Sequence, residues 1–116
     1  MSSKCLLISK TVKKFNKTLE VDGDKSISIR WLLLASQAIG ISKATNLLGS
    51  EDVISAIECL KRLGVRINFN NNNCIIYGRG INGFKYKKNI TLNAGNSGTF
   101  GRLIMGLLIH SKNKIK

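Results

Sequence analysis

Runs of apolar residues separated by polar turns divide the first half of the chain into short elements. Residues 3–10 and 17–22 predict two strands around a polar turn. Residues 27–39 form a longer, mostly apolar run that predicts a helix, and Gly40 directly after them predicts a left-handed helix cap. Residues 42–48 predict a third strand. The first half therefore indicates alternating strands and a helix.

The second half begins with a helix whose start and buried face both follow from residue types. Ser50 predicts the N-cap, acidic residues follow in the first turn, and apolar side chains recur at helical spacing at Val53, Ile57, Leu60 and Leu63. Residues 65–69 and 74–77 predict a hairpin across a run of asparagines. A further strand is predicted over 89–93 and a helix over 98–110.

From residue 17 the predicted order is strand, helix, strand, helix, strand, strand, and then strand and helix again. The pattern starts a second time and stops, which predicts a truncated repeat. A chain of 116 residues is long enough for one modest core. The prediction is an α/β (α+β) fold with one unit over 17–80 and the start of a second over 88–116.

Two segments place glycine and hydroxyl residues where a strand-like run gives way to a helix-like run: residues 23–30 and residues 95–102. The first turn of a helix has unpaired backbone N–H groups and about half a unit of positive dipole charge, so it favours anions. Lys25 and Arg30 in the first segment, and Arg102 in the second, add full charges. The pattern predicts binding of small phosphorylated or carboxylated molecules.

The net charge indicates which partners the chain can attract, and the lengths of its apolar runs exclude a membrane span and a secretory signal. The net charge is +13 and all six acidic residues lie within the first 58 positions, an excess that attracts nucleic acid or small phosphates. Part of this excess reflects a composition rich in Lys, Asn and Ile. The apolar run over 31–41 is too short to span a bilayer, and the opening apolar stretch is too brief for a secretory signal. A cytoplasmic location is predicted.

Three further patterns are weak evidence for a functional site. Residues 78–83 match Gly-x-Gly-x-x-Gly, but neither a helix start nor an acidic residue follows, which favours a turn over a dinucleotide site. Lysines at 85, 87 and 88 alternate with Phe84 and Tyr86, which is a weak nucleic-acid signal. Reduced, partly buried thiols are predicted for the three cysteines, which lack metal-binding spacing: Cys5, Cys59 and Cys74.

Four motifs in the same order over residues 17–110 together resemble one enzyme family. They are Gly-Asp-Lys-Ser-Ile-Ser-x-Arg from Gly23, Asn-Leu-Leu-x-Ser-x-Asp-Val from Asn46, Leu-x-x-Leu-Gly-Val from Leu60, and Gly-Asn-Ser-Gly-Thr-x-x-Arg from Gly95. The chain resembles the N-terminal part of the 5-enolpyruvylshikimate-3-phosphate synthase family. The resemblance implies the enolpyruvyl transferase fold of repeated β-α-β-α-β-β units. It also implies transfer of the enolpyruvyl group of phosphoenolpyruvate to the 5-hydroxyl of shikimate 3-phosphate, with no metal or organic cofactor.

The same resemblance assigns roles to residues of both glycine-containing turns. Three residues of the first turn are similar to the family's ligands of shikimate 3-phosphate, and the first of them is also the catalytic lysine: Lys25, Ser26 and Arg30. Three residues of the second turn resemble the family's turn against which phosphoenolpyruvate packs: Asn96, Gly98 and Thr99. Arg102 is expected to support this second turn.

Family members are several times longer and bind their substrates between two domains, so the resemblance implies a piece of an enzyme. Residues 1–20 would be the opening strands that pack with the other domain, and residues 21–116 an incomplete first domain. The piece alone is expected to be inactive, because the rest of the chain completes the cleft. The full-length enzyme is expected to be monomeric, without nucleic-acid or membrane partners.

Two alternatives stay open at this point. UDP-N-acetylglucosamine enolpyruvyl transferase, a related enzyme, typically has a lysine-asparagine pair near its start and a reactive loop cysteine. Here Ser26 follows Lys25 and no cysteine follows Cys74, which disfavours that enzyme. A small basic nucleic-acid-binding protein would explain the net charge, but it leaves the two glycine-containing turns without a role.

Overall fold

The computed structural model describes residues 22–116 without a gap, together with residues 7, 9, 10, 14, 16, 18 and 20. The predicted strands over 3–10 and 17–22 therefore lie outside the described residues, apart from these isolated positions. Cys5 lies outside them as well.

The described part contains a three-stranded antiparallel sheet with two helices packed against it and a third helix packed against the first. The helices are α1 (Lys25–Gln37), α2 (Glu51–Arg62) and α3 (Gly98–Leu107). The strands are β1 (Ile39–Ala44), β2 (Arg66–Asn70) and β3 (Asn73–Arg79), in the spatial order β1-β3-β2. This architecture confirms the predicted α/β class.

The first helix differs from its prediction at both ends. α1 begins at Lys25, two residues early, because the Asp24 carboxylate accepts a hydrogen bond from the Ile27 N–H at 2.7 Å and caps the helix. It ends at Gln37, and the predicted cap at Gly40 is wrong. Gly40 lies within β1, where it pairs with Gly78 at a φ of +97°. Strand pairing with β3 therefore begins at Ile39, ahead of the predicted residue 42.

The second helix and the hairpin confirm their predictions. The apolar stripe of α2 and Leu63 are buried, and Gly64 follows with a φ of +87°. Ser50 occupies the N-cap position as predicted, but its buried Oγ makes no capping hydrogen bond. The two-residue turn between β2 and β3 has both asparagines in the left-handed region, with φ of +47° at Asn71 and +60° at Asn72. Asparagine tolerates this conformation better than most residues, so the run can form a tight turn.

The strand predicted over 89–93 is wrong as a regular element. The backbone of residues 90–92 instead makes one parallel bridge with Lys116. The Leu92 N–H donates to the Lys116 carbonyl at 2.7 Å, and the Lys116 N–H donates to the Ile90 carbonyl at 3.1 Å. The helix that follows, α3, starts at the predicted residue and ends at Leu107, ahead of the predicted residue 110.

Gly-x-Gly-x-x-Gly forms a strand end and a turn, as predicted. A Cβ atom added at Gly78 would lie 2.1 Å from the Ala38 carbonyl oxygen, so this glycine lets the end of α1 pack directly on β3. Gly80 has a φ of +78°, and the Gly83 N–H donates to its carbonyl at 3.1 Å. No helix begins here. Within the described range, no helix has the length and apolar character to cross a membrane.

Candidate functional site

The first glycine-containing turn leads into α1 and carries three of the predicted site residues. Arg30 folds back over one helical turn, and its Nη1 donates to the Ser26 carbonyl at 3.1 Å. The guanidinium therefore lies beside the first turn of α1, where Lys25 and Ser26 also lie. Arg30 and Lys25 are solvent-exposed and Ser26 is half-buried, so all three are accessible to a ligand.

Lys25 joins the start of α1 to the start of α2. Its Nζ lies 3.0 Å from Oδ2 of Asp52, in the first turn of α2, and the side chains are 51% and 15% exposed respectively. The carboxylate also lies favourably at the positive end of the α2 dipole. Asp52 was not predicted as a site residue, although the motif that begins at Asn46 contains it. The ion pair holds the lysine ammonium between two helix starts.

The second glycine-containing turn leads into α3 and is fixed by its own side chains. Ser97 is the N-cap residue, and its Oγ accepts a hydrogen bond from the Phe100 N–H at 3.1 Å. Ser97 is only 4% exposed, whereas Asn96 and Gly98 are exposed. Sequence reasoning gave Ser97 no role, although a serine three residues before a buried aromatic is a recognisable N-cap. The exposed residues therefore stand on a fixed turn.

Arg102 folds back over α3 much as Arg30 does over α1. A Cβ atom added at Gly98 would lie 3.0 Å from Arg102 Nη1 and 3.2 Å from Nη2. The guanidinium thus packs against the backbone at the first residue of the helix. Each glycine-containing turn therefore combines the positive end of a helix dipole with an arginine from the next helical turn.

The two turns are brought to one end of the molecule by a segment that runs antiparallel to α2. Residues 85–95 contact α2 at steadily earlier positions of that helix. The Lys85 N–H donates to Leu63 O at 2.9 Å, Arg62 Nη1 donates to Thr91 O at 2.7 Å, and Cys59 Sγ donates to Asn93 O at 3.2 Å. At the end of this segment, a Cβ atom added to Gly95 would lie 3.1 Å from Ser55 Oγ, near the start of α2.

The start of α2 therefore lies beside both candidate turns. Asp52 contacts the first turn through Lys25, and Ser55, three residues later on the same side of the helix, lies next to Gly95 of the second turn. The sequence predicted each turn separately, and the structure adds that they share a neighbour. Such an end, with helix N–H groups and exposed cations, favours binding of anions.

The buried cysteines are not ligand candidates, although Cys59 helps to hold residues 85–95 beside α2. Burial raises the pKa of the Cys59 thiol and raises the pKa of the Cys74 thiol to about 11, so both are protonated at neutral pH. Both are free, as predicted. Residues 22–116 and the isolated described positions contain no group of three or more His, Cys, Asp or Glu side chains that could hold a metal ion.

Comparison with known proteins identifies the family. Residues 9–116 match the family described as EPSP synthase (3-phosphoshikimate 1-carboxyvinyltransferase). A 3-phosphoshikimate 1-carboxyvinyltransferase of Vesicomyosocius okutanii is 48% identical over 90 residues, which cover 78% of this chain and 20% of the relative. Another from Bacillus cytotoxicus is 43% identical over 96 residues, which cover 83% of this chain and 22% of the relative.

Solved structures agree with the sequence match. An EPSP synthase from Acinetobacter baumannii superposes with a TM-score of 0.71 at 33% identity, covering 84% of this chain and 23% of that one. The chain thus spans about a fifth to a quarter of the length of these proteins. Because the family match extends over residues 9–116, the chain belongs to the EPSP synthase family.

Proposed function

We propose that this chain is the N-terminal part of an enzyme that transfers the enolpyruvyl group of phosphoenolpyruvate to the 5-hydroxyl of shikimate 3-phosphate. The turn before α1 would hold shikimate 3-phosphate through Lys25, Ser26 and Arg30. The turn before α3 would hold phosphoenolpyruvate through Asn96, Gly98 and Thr99. The relatives named above support shikimate 3-phosphate as the acceptor, in preference to UDP-N-acetylglucosamine.

One observation carries this proposal: both turns border the start of α2, through the 3.0 Å pair of Lys25 with Asp52 and through the position of Gly95, where an added Cβ would lie 3.1 Å from Ser55 Oγ. Two substrates that react must lie side by side, yet both are multiply charged anions that repel each other. Two helix starts and the cations Lys25, Arg30 and Arg102 at the same end would offset that repulsion and orient the substrates.

Lys25 is the group best placed to serve both substrates. It is half-exposed and lies at the start of α1, and Asp52 holds its ammonium toward α2, beside which the second turn also lies. A lysine in this place can donate hydrogen bonds to an anion on either side, since its three N–H donors rotate freely. We assign Asp52 the role of positioning Lys25.

The domain division remains part of the proposal. Residues 21–116 would form the start of one domain, with unit one over 17–80 and the beginning of unit two over 88–116, and residues 1–20 would pack with the other domain. The rest of an enzyme of this family would complete the cleft, since the chain spans only a fifth of the relatives' length.

The 116-residue chain alone is expected to release no phosphate from the two substrates. Proton transfer in the reaction needs a positioned acid and a positioned base. Of the carboxylates near the first turn, Asp24 already accepts a capping hydrogen bond and Asp52 pairs with Lys25, and no acidic residue follows Glu58 in this sequence. A phosphate-release assay tests this expectation, and turnover above a reagent blank that survives repurification would contradict it.

Gly98→Ala is expected to weaken phosphoenolpyruvate binding by roughly tenfold, about 1.4 kcal/mol, while shikimate 3-phosphate binding changes little. The new methyl group would displace the Arg102 guanidinium, 3.0 Å away, and would occupy the backbone surface proposed for the ligand. The measurement is a separate titration of each substrate, in a chimera that carries residues 22–110 in place of the matching segment of the Bacillus cytotoxicus relative.

Gly101→Ala is the matched control for this variant. A methyl group there meets only the Ala94 Cβ at 3.8 Å, an ordinary contact, and lies one turn further along α3. Both variants add the same methyl group to the same helix. Equal phosphoenolpyruvate affinities for the two variants would show that the ligand does not lie against Gly98.

A further inference from the structure

A cavity lies away from the glycine-containing turns and contains none of the proposed substrate ligands. Its volume is about 670 Å³, within the range of small-molecule sites. Its walls come from two segments, residues 82–86 after β3 and residues 107–113 at the end of α3 and beyond it. Lys85 also bonds to Leu63, at the C-terminal end of α2, whereas Asp52 and Ser55 lie at its N-terminal end. The cavity is thus distinct from the candidate substrate site.

The cavity is lined by two lysines and a histidine, and no Asp or Glu lies among its lining residues. Lys85 stands on one wall, and Lys112 and His110 stand on the other. The carbonyl end of α3 contributes about half a negative charge, which two full lysine charges outweigh. Cations that face each other across a cleft repel, so an anion between them is stabilised by both. The charge of the cavity therefore favours an anionic ligand.

Both walls are held by hydrogen bonds that do not involve the lysine ammonium groups. The Lys85 N–H donates to the Leu63 carbonyl at 2.9 Å. On the other wall, Ser111 Oγ donates to the Asn113 carbonyl at 2.8 Å, which closes a turn around Lys112. The Tyr86 and Ser111 hydroxyl groups bond to each other and connect the walls. The two lysines therefore project from fixed positions.

The rest of the lining is apolar or aromatic. Phe84, Leu107 and Leu108 line the cavity, and both Phe84 and Tyr86 are half-buried against the core. Rings in this position do not form an exposed stacking platform for a nucleic-acid strand. They offer apolar walls to a small ring inside the cavity. We propose that this cavity binds a small organic anion that joins a phosphate or carboxylate group to a flat apolar ring.

Phenyl phosphate is a suitable probe, with inorganic phosphate as the anion alone and phenol as the ring alone. Each is titrated into the 116-residue chain at low ionic strength, and the amide signals are followed by NMR. Phenyl phosphate is expected to shift signals of residues 82–86 and 107–113 and to bind at least tenfold more tightly than either fragment. Shifts confined to the turns before α1 and α3, or equal affinity for inorganic phosphate, would overturn the proposal.

Substitutions distinguish specific binding in the cavity from general electrostatic attraction to a basic chain. The double variant K85A/K112A is expected to lose roughly tenfold in phenyl phosphate affinity, because two exposed charges contribute a few-fold each. Lys43→Ala, which removes an exposed charge from β1, is expected to leave the affinity unchanged. Equal losses from Lys43→Ala would overturn the proposal. Tighter, lysine-dependent binding of a single-stranded oligonucleotide would overturn it in favour of a nucleic-acid surface.

These outcomes are independent of the proposed enzyme activity. Arg30→Ala, at the candidate substrate site, is expected to leave the phenyl phosphate shifts at the cavity intact. The cavity proposal can therefore fail while the enzyme assignment stands, and the reverse is equally true.

Discussion

Gly78→Ala is expected to lower the free energy of unfolding by about 3 kcal/mol or more. The added Cβ would lie 2.1 Å from the Ala38 carbonyl oxygen and 2.7 Å from that of Ala35. These are backbone atoms at the end of α1, so the clash cannot be relieved by a side-chain rotation. Relief requires separating α1 from β3, which would expose core residues such as Ile76. Urea unfolding followed by the fluorescence of Trp31 measures the effect.

Gly106→Ala is the control for this prediction. Gly106 lies inside α3, and a Cβ there would have no neighbour within 4 Å. The same substitution should therefore stabilise the chain by about 0.5–1 kcal/mol, because alanine favours the helix more than glycine does. If the two variants unfold at the same urea concentration, the close packing of α1 on β3 does not contribute to stability as argued.

Lys25→Ala and Arg30→Ala are each expected to weaken shikimate 3-phosphate binding by roughly tenfold to more than a hundredfold. A charge-assisted hydrogen bond contributes about 1.5–3 kcal/mol, and each 1.4 kcal/mol is a factor of ten. Folding should change far less. The Lys25 side chain is 51% exposed, and a half-exposed ion pair such as the one with Asp52 contributes at most about 1 kcal/mol. Titration of the same chimera with shikimate 3-phosphate measures the loss.

Lys43→Ala provides the comparison for general charge. It removes an equal charge from an exposed position on β1, a strand that carries none of the proposed ligands. If Lys43→Ala weakens binding as much as Lys25→Ala does, long-range attraction explains the affinity. A drop in unfolding free energy of several kcal/mol for Arg30→Ala would instead indicate a structural role for this arginine.

Asp52→Asn would separate the two roles proposed around Lys25. The substitution keeps the shape of the side chain and removes the charge that holds the ammonium. A positioning role for Asp52 predicts a loss of shikimate 3-phosphate affinity smaller than that of Lys25→Ala. The same titration measures it, and an unchanged affinity would contradict the positioning role.

The sequence alone determined those elements whose signals are local. α2 has its N-cap residue, its first-turn acids and its apolar stripe in one continuous segment, so its start and its buried face were predicted. The asparagine turn of the hairpin and the glycine-containing turns were likewise predicted from neighbouring residues. The motifs of those turns also indicated the family before any contact was known.

Tertiary structure decided the features that depend on pairing between distant segments. The residues around Gly40 predict a helix cap there, but its pairing with Gly78 places it in a strand. Residues 89–93 have the pattern of a strand, yet Lys116 is the only parallel partner that they have within the described chain. Local periodicity reports which side of a segment is apolar and cannot report which other segment lies beside it.

The candidate site shows the same division. Glycines, hydroxyl groups and arginines predicted two anion-binding turns, but not that Arg30 and Arg102 each fold back over their own helix start. The juxtaposition of the turns depends on the antiparallel course of residues 85–95 along α2 and on the Lys25–Asp52 pair. These contacts join residues far apart in sequence, so only the folded chain could place the two turns beside the start of α2.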